Sequence, residues 1–230
     1  MDHRFLTQTA LFRGYEEKEL PGLLQKLNSR VKTFEKGQVI FHAGETVSEF
    51  GLILEGSVQI EALDLFGRRS ILGIVQKGGV FGESYACIPD QQLLVDAVAG
   101  EDASVLFLSV PSLLSAGAAG GRNAILLQNL LSITARKNLG LSMRIFHSSP
   151  KKIRDRLYSY FSEQAAVHGS THFSIPLDRQ QLADYLGTER TALSRELGRM
   201  KREGLIDFRK REFRIYPERG EAARFQDPQD

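Results

Sequence analysis

Leu182-Ala183-Asp184-Tyr185-Leu186-Gly187-Thr188-Glu189-Arg190-Thr191-Ala192-Leu193-Ser194-Arg195-Glu196-Leu197 is the stretch on which the reading of this chain turns. Asp178 is an expected N-cap for a helix over 179–186, with Gln181 three residues on as its capping-box partner. Gly187 ends that helix, Thr188 is expected to cap a second one running to about Glu203, and Gly204 stops it. Two short capped helices around a glycine, with Leu193 and Leu197 facing inward, follow the helix-turn-helix plan. The second helix would then expose Arg190, Thr191, Ser194 and Arg195 near the end that enters a major groove. An arginine there can pair bidentately with guanine O6 and N7, worth ~1–3 kcal/mol of base discrimination. Thr191 and Ser194 are short hydroxyl side chains that contact bases or phosphates without blocking approach. The alternative is a helical hairpin that merely packs.

Working outward, Leu205-Ile206-Asp207-Phe208 and Phe213-Arg214-Ile215 flank Arg209-Lys210-Arg211-Glu212. This reads as a hairpin with a basic tip, suited to lie on a phosphate backbone as a wing. Residues 147–217 carry fourteen Lys and Arg against nine Asp and Glu, whereas residues 1–146 carry fourteen against fifteen. A near-neutral module therefore precedes one suited to a polyanion. Acids interspersed at 189, 196 and 203 keep a plain solvated helix face open as the other explanation. Upstream, a helix over 151–167 places Ile153, Leu157, Tyr160 and Phe161 on one face, and the tail from residue 218 is expected to be disordered.

Before this module comes a long helix, 122–146. Leu127, Leu131, Thr134, Leu141 and Ile145 form one strip with Asn138 completing the series, beside a second strip of Leu126, Leu130 and Ile133. One strip can cover the preceding module; the other needs either a second copy of the helix or a wide buried face. His147-Ser148-Ser149-Pro150 reads as a hinge, since proline disfavours helix for the residue before it. From 31 to 108, short apolar runs alternate with glycines at 37, 44, 56, 67, 78, 79 and 82, which points to a β-sandwich or barrel. Asp64-Leu65-Phe66-Gly67-Arg68 reads as a hairpin tip. A short helical segment with Leu20, Leu23, Leu24 and Leu27 opens the chain.

Composition excludes much chemistry. The chain has 230 residues, 42% hydrophobic and 25% charged, a globular balance. No run approaches the ~18 apolar residues of a membrane span, so no membrane partner is expected and a cytoplasmic location is the default. A single cysteine, Cys87, cannot build a disulfide, a structural zinc site or an iron–sulfur cluster. It is expected to be a small buried hydrophobe, with a redox-sensitive thiol as the alternative. The five histidines (3, 42, 147, 168, 172) show no metal-binding spacing and are expected at the surface, and no nucleophile elbow or phosphate loop is present, so no catalytic residue and no metal are expected. Phe81-Gly82-Glu83-Ser84 places a carboxylate and a hydroxyl after a glycine turn, where a small ligand could be gripped.

These residues, in this order, resemble the CRP/FNR superfamily of bacterial transcription regulators. The resemblance rests on Phe50-Gly51-Leu52-Ile53-Leu54-Glu55-Gly56-Ser57-Val58, on Gly79-Val80-Phe81-Gly82-Glu83, and on the helix-turn-helix followed by Gly204-Leu205-Ile206. It implies an α+β chain. A double-stranded, jelly-roll-like β-roll sensor would span 1–121, a dimerisation helix 122–147, a winged helix-turn-helix 148–217 and a disordered tail 218–230. It also implies a homodimer on a palindromic operator in double-stranded DNA, a small-molecule effector, and RNA polymerase as a further partner. Base readout would fall to Arg190, Thr191, Ser194 and Arg195, with Thr188, Arg199, Arg209, Lys210 and Arg211 around them. The dimer interface would use Leu127, Leu131, Thr134, Asn138, Leu141 and Ile145.

The effector is where the resemblance stops short. Members that bind cyclic AMP follow the Gly-Glu pair with an Arg-Ser or Arg-Thr, but Gln91-Gln92-Leu93-Leu94-Val95-Asp96 here contains no cation. Burying an unpaired phosphate would cost several kcal/mol, so tight cyclic AMP binding is not expected. Oxygen-sensing members need several cysteines, and a haem would find only His42. Gly82, Glu83, Ser84, Leu93, Leu94 and Val95 are the expected effector contacts, for an apolar or aromatic ligand. A ligand-independent DNA-binding dimer and an enzyme built on the roll are the competing readings. Thr191 replaces the glutamate of the best-known members, so the half-site should differ from theirs.

Overall fold

The computed structural model describes residues 2–63, 69–118 and 120–217. The expected hairpin tip at 64–68 and the tail from 218 lie outside the described residues. The chain divides into two compact units, Met1–Lys137 and Asn138–Asp230.

In the first unit, α1 (His3–Gln8) is capped by Asp2, whose carboxylate accepts the Phe5 N–H. A 3₁₀ turn at Glu17–Glu19 leads into α2 (Leu20–Lys26), and Leu20, Leu23, Leu24 and Leu27 are all buried. Among the described residues eight strands follow: β1 (Arg30–Phe34), β2 (Val39–Phe41), β3 (Glu49–Glu55), β4 (Ser57–Leu63), β5 (Arg69–Gln76), β6 (Val80–Phe81), β7 (Asp96–Ala99) and β8 (Ala103–Ser109). They form two antiparallel four-stranded sheets, ordered β1-β8-β3-β6 and β2-β7-β4-β5, with the non-sequential neighbours of a jelly roll. Phe41, Ile53, Val58, Phe81, Leu93, Ala97, Val105 and Phe107 make up one buried cluster of this roll. Gly51 is required by that packing, since a Cβ there would come 2.4 Å from the Phe81 ring.

Two helices complete the unit. A short α3 (Glu83–Ala86) follows Gly82, and α4 (Val110–Ala118) follows β8 directly. Pro111 fits there because a helix's first turn needs no donor from it. The long helix α5 (Asn123–Ser148) begins in this unit, and its Leu126 and Leu130 are buried with Leu6, Leu11, Phe12, Leu108 and Leu113.

The second unit contains the end of α5, then α6 (Ile153–His168), β9 (His172–Ser174), α7 (Arg179–Tyr185), α8 (Arg190–Arg202), β10 (Ile206–Arg209) and β11 (Glu212–Ile215). The strands form one antiparallel sheet, β10-β11-β9. Helices as short as α7 are not stable alone. They are held here by a shared core of Leu157, Phe161, Phe173, Leu182, Leu193, Leu197, Met200 and Phe213, each side chain contributing ~1.5–3 kcal/mol by burial.

One expectation is overturned at the presumed hinge. Helix α5 runs through His147 to Ser148, and His147 is completely buried rather than a surface histidine. Its Nδ1 lies 2.8 Å from Ser159 Oγ and its Nε2 2.8 Å from Glu163 Oε2, with the Tyr160 and Tyr185 rings beside it. A buried imidazole is tolerated because both ring nitrogens are partnered. The residue at the head of the expected hinge is therefore an anchor of the second unit.

Candidate nucleic-acid interface and sensor site

The interface is built on α7 and α8. The expected capping box is present: Asp178 Oδ1 accepts the Gln181 N–H at 2.9 Å, and Gln181 Oε1 accepts the Asp178 N–H at 2.8 Å. Gly187 adopts φ +62°, a conformation that L side chains avoid, and turns the chain into α8. The N-cap of α8 is Glu189, not Thr188, and it makes no side-chain capping bond. Thr188 is instead part of the turn, its N–H donating to the Ala183 carbonyl.

Leu193, Leu197 and Met200 bury one face of α8, and Arg190, Thr191, Ser194 and Arg195 are exposed on the opposite side of its first turns. Arg199 is also exposed, 3.6 Å from Glu196. Arg209 pairs in register with Glu212 across the wing, and Lys210 and Arg211 form its tip, Lys210 in the left-handed region at φ +56°. All three basic side chains are exposed. The nine residues singled out as DNA contacts thus lie on α8, the turn before it and the wing, all in one unit.

Three arginines that the sequence reading did not single out shape this surface. Arg156 donates to the carbonyls of Leu186 and Gly187, both at 2.9 Å, and to Pro150 O at 2.6 Å. It therefore satisfies the carbonyls left orphaned where α7 ends. Arg154 donates to Glu196 and Glu203, each at 2.7 Å, which ties α6 to α8 and raises its own pKa further. That contact supplies the counter-charge of Glu196, whose side chain is only 15% exposed. Arg179 lies across the Phe208 and Phe213 rings, 5.0 and 5.7 Å from their centroids, and burial followed by the Arg190 charge lowers its pKa. Arg190 and Arg179 are mutually repulsive cations at the starts of both helices.

In the first unit, Gly82 (φ +78°) precedes Glu83, and a Cβ at Gly82 would meet the Phe41 ring at 2.8 Å. Glu83 is only 3% exposed, and Lys137 of α5 donates to its carboxylate at 2.8 Å and to Val80 O at 2.7 Å. No local pattern marks this partner, 54 residues away. Ser84 is exposed. Leu93 is buried in the roll while Leu94 is 74% exposed and Val95 partly buried, so the three do not converge on one apolar site. The segment's charged residue, Asp96, is committed to the Ala43 N–H at 2.7 Å. Lys137, the basic partner of Glu83, is committed to that carboxylate. Cys87 is exposed rather than buried, and desolvation by its neighbours, then the Glu83 charge, raises its thiol pKa, which lowers the reactive thiolate fraction.

On α5, Leu131, Leu141 and Ile145 are 69%, 62% and 66% exposed, and Asn138 is exposed on the same strip. Thr134 is partly buried, its hydroxyl donating to the Leu130 carbonyl, and Leu127 is partly buried against the first unit's core. Among the described residues no helix is long and apolar enough to cross a membrane, and no cluster of three or more possible metal ligands occurs.

Comparison with known proteins follows the same division. Residues 31–118 match the cyclic nucleotide-binding domain family and residues 155–218 the Crp-like helix-turn-helix domain family. Electron transport regulator A of Shewanella oneidensis is 24% identical over 80% of this chain and 74% of its own. The Anaerobic regulatory protein of Bacillus subtilis is 25% identical over 82% and 79%. A solved structure, the Catabolite Activator Protein of Thermus thermophilus, shares the fold with a TM-score of 0.51 at 23% identity, over 90% of this chain and 94% of that one.

Proposed function

The chain belongs to the CRP/FNR superfamily of bacterial transcription regulators, and from that premise we propose that it is a homodimeric, sequence-specific regulator whose DNA binding answers to a small effector. The observation that carries this is the recognition face itself. Arg190, Thr191, Ser194 and Arg195 stand exposed on a helix whose opposite side is fully buried. Such a helix can enter a major groove without unfolding anything, and the arginines can read guanine. Arg179 and the wing residues Arg209, Lys210 and Arg211 neutralise phosphates, which positions the helix without reading sequence. Two copies joined along Leu131, Asn138, Leu141 and Ile145 present two recognition helices to half-sites about 34 Å apart, so the operator is palindromic.

The effector site centres on Glu83 and α5. Tight binding of a cyclic nucleotide is not part of this reading, because Gln91–Asp96 contains no cation to pair with its phosphate. A ligand favouring one arrangement of the DNA-binding units would raise operator affinity in proportion to its preference for that arrangement. A second reading has its own support: Lys137 already completes the charge of Glu83 from within the chain, as suits a roll that needs no ligand.

Fluorescence anisotropy against DNA from upstream of the chain's own reading frame, with a scrambled control and a salt series, tests the proposal. A preference of ~10³ or more with a steep salt slope is the expected result. Absence of binding to either DNA at low salt would overturn it. The same assay, repeated with candidate effectors, separates the two readings.

A further inference from the structure

A cavity of about 320 Å³ opens in the first unit, between the turn after α1 and α5, lined by Ala10, Arg13, Asn129, Ser132, Ile133 and Arg136. Among the described residues its two arginines lack the carboxylate partners that several other arginines of the chain have. Arg30 pairs with Glu49, Arg69 with Glu61, Arg122 with Glu19 and Arg154 with Glu196 and Glu203. Arg13 and Arg136 share one cavity, and among the described residues no carboxylate lies within ion-pair distance of either. Ser132 adds a hydroxyl, and Ile133 with Ala10 an apolar wall.

The frame that carries these groups is fixed. Asn129 Nδ2 donates to the carbonyls of Leu11 and Arg13, both at 2.8 Å. Tyr15 Oη donates to Arg122 O at 2.7 Å, and Arg122 donates to Gly14 O at 2.9 Å. Leu11, Phe12 and Tyr15 are buried alongside. The backbone beneath Arg13 is thus strapped to the helix that carries Arg136, so a ligand would not have to order it. At about 100° per residue, Ser132 and Arg136 lie on the flank of α5 opposite the strip of Leu131, Leu141 and Ile145. A second copy joined along that strip leaves the cavity open.

We infer that this cavity is a binding site for a compact dianion, a phosphoryl group or a short dicarboxylate, held between the Arg13 and Arg136 guanidiniums. Guanidinium forks match both groups bidentately, and the volume is at the small end for ligand sites. The site is separate from Glu83, and its existence does not depend on what the roll senses.

Isothermal titration of the full-length protein at about pH 8, where phosphate is doubly charged, with inorganic phosphate and separately with succinate at constant ionic strength, is the test. Saturable binding of one dianion per chain is expected, with acetate at least about tenfold weaker. Arg13→Gln and Arg136→Gln should each weaken binding about tenfold or more. Ser132→Glu places a counter-ion inside the cavity and should abolish binding while leaving the melting temperature essentially unchanged, which covers the case in which an arginine variant folds poorly. Tighter phosphate binding assigns a phosphoryl ligand and tighter succinate a dicarboxylate. No saturable binding of either, equal binding of acetate, or binding that survives all three substitutions overturns the inference.

Discussion

At the scale of single residues, the two halves of the interface separate cleanly. Arg195→Ala should cost ~1–3 kcal/mol of discrimination and relax specificity at one operator position, measured by competition anisotropy with single-base variants. Unchanged preference would place readout elsewhere on α8. Lys210→Asn should lower affinity evenly across sequences and flatten the salt slope by about one, without loss of stability. Asparagine tolerates the left-handed conformation that Lys210 adopts at φ +56°, so fold and charge are not confounded. Lys137→Met is a stronger perturbation. It leaves Glu83, 3% exposed, without its counter-charge, and a thermal melt should show a loss of about 3 kcal/mol. Adding Glu83→Gln should recover much of it, and a double variant no more stable than the single would show that the pair carries no such coupling.

At the scale of elements, the sequence exposed whatever local chemistry controls and concealed whatever long-range geometry controls. The capping box at Asp178 and Gln181, the glycine turn at 187 and the hairpin around Lys210 were legible because each depends on residues within a few positions. The strands of the roll were legible as glycine-punctuated apolar runs, but their order in two sheets was not. Lys137 reaching Glu83 and Arg156 closing the end of α7 were invisible, since contacts between distant positions leave no periodic mark. His147 misled for the same reason: its partners Ser159 and Glu163 lie on the next helix. The clasp of α6 on α8 has a pH signature. Hydrogen bonds from Arg154 hold the Glu203 carboxyl below its ordinary pKa, so this contribution is present above the ordinary value and is lost as pH falls through the lowered one. In Arg154→Gln the drop in melting temperature from about pH 4.3 downward should therefore be shallower than in the native chain. An unchanged acid limb would mean that the clasp adds nothing to folding.

At the scale of the whole molecule, the proposed assembly rests on what α5 leaves uncovered. Leu141→Glu, placed at a side chain 62% exposed, should leave each chain folded yet shift light scattering from dimer to monomer. Affinity for a full palindrome should then fall towards that for a half-site; a dimer that persists would move the interface off this strip. The structure also bears on how such a regulator changes over generations. Packing within the second unit is carried by Leu193, Leu197, Met200 and the Arg154 clasp, whereas Arg190, Thr191, Ser194 and Arg195 bury nothing of the core. Exchanges at such surface positions typically alter stability by no more than about 0.5 kcal/mol. With readout on these residues, as proposed, operator preference can drift, or be reprogrammed in the laboratory, one letter at a time on a scaffold that barely registers the change.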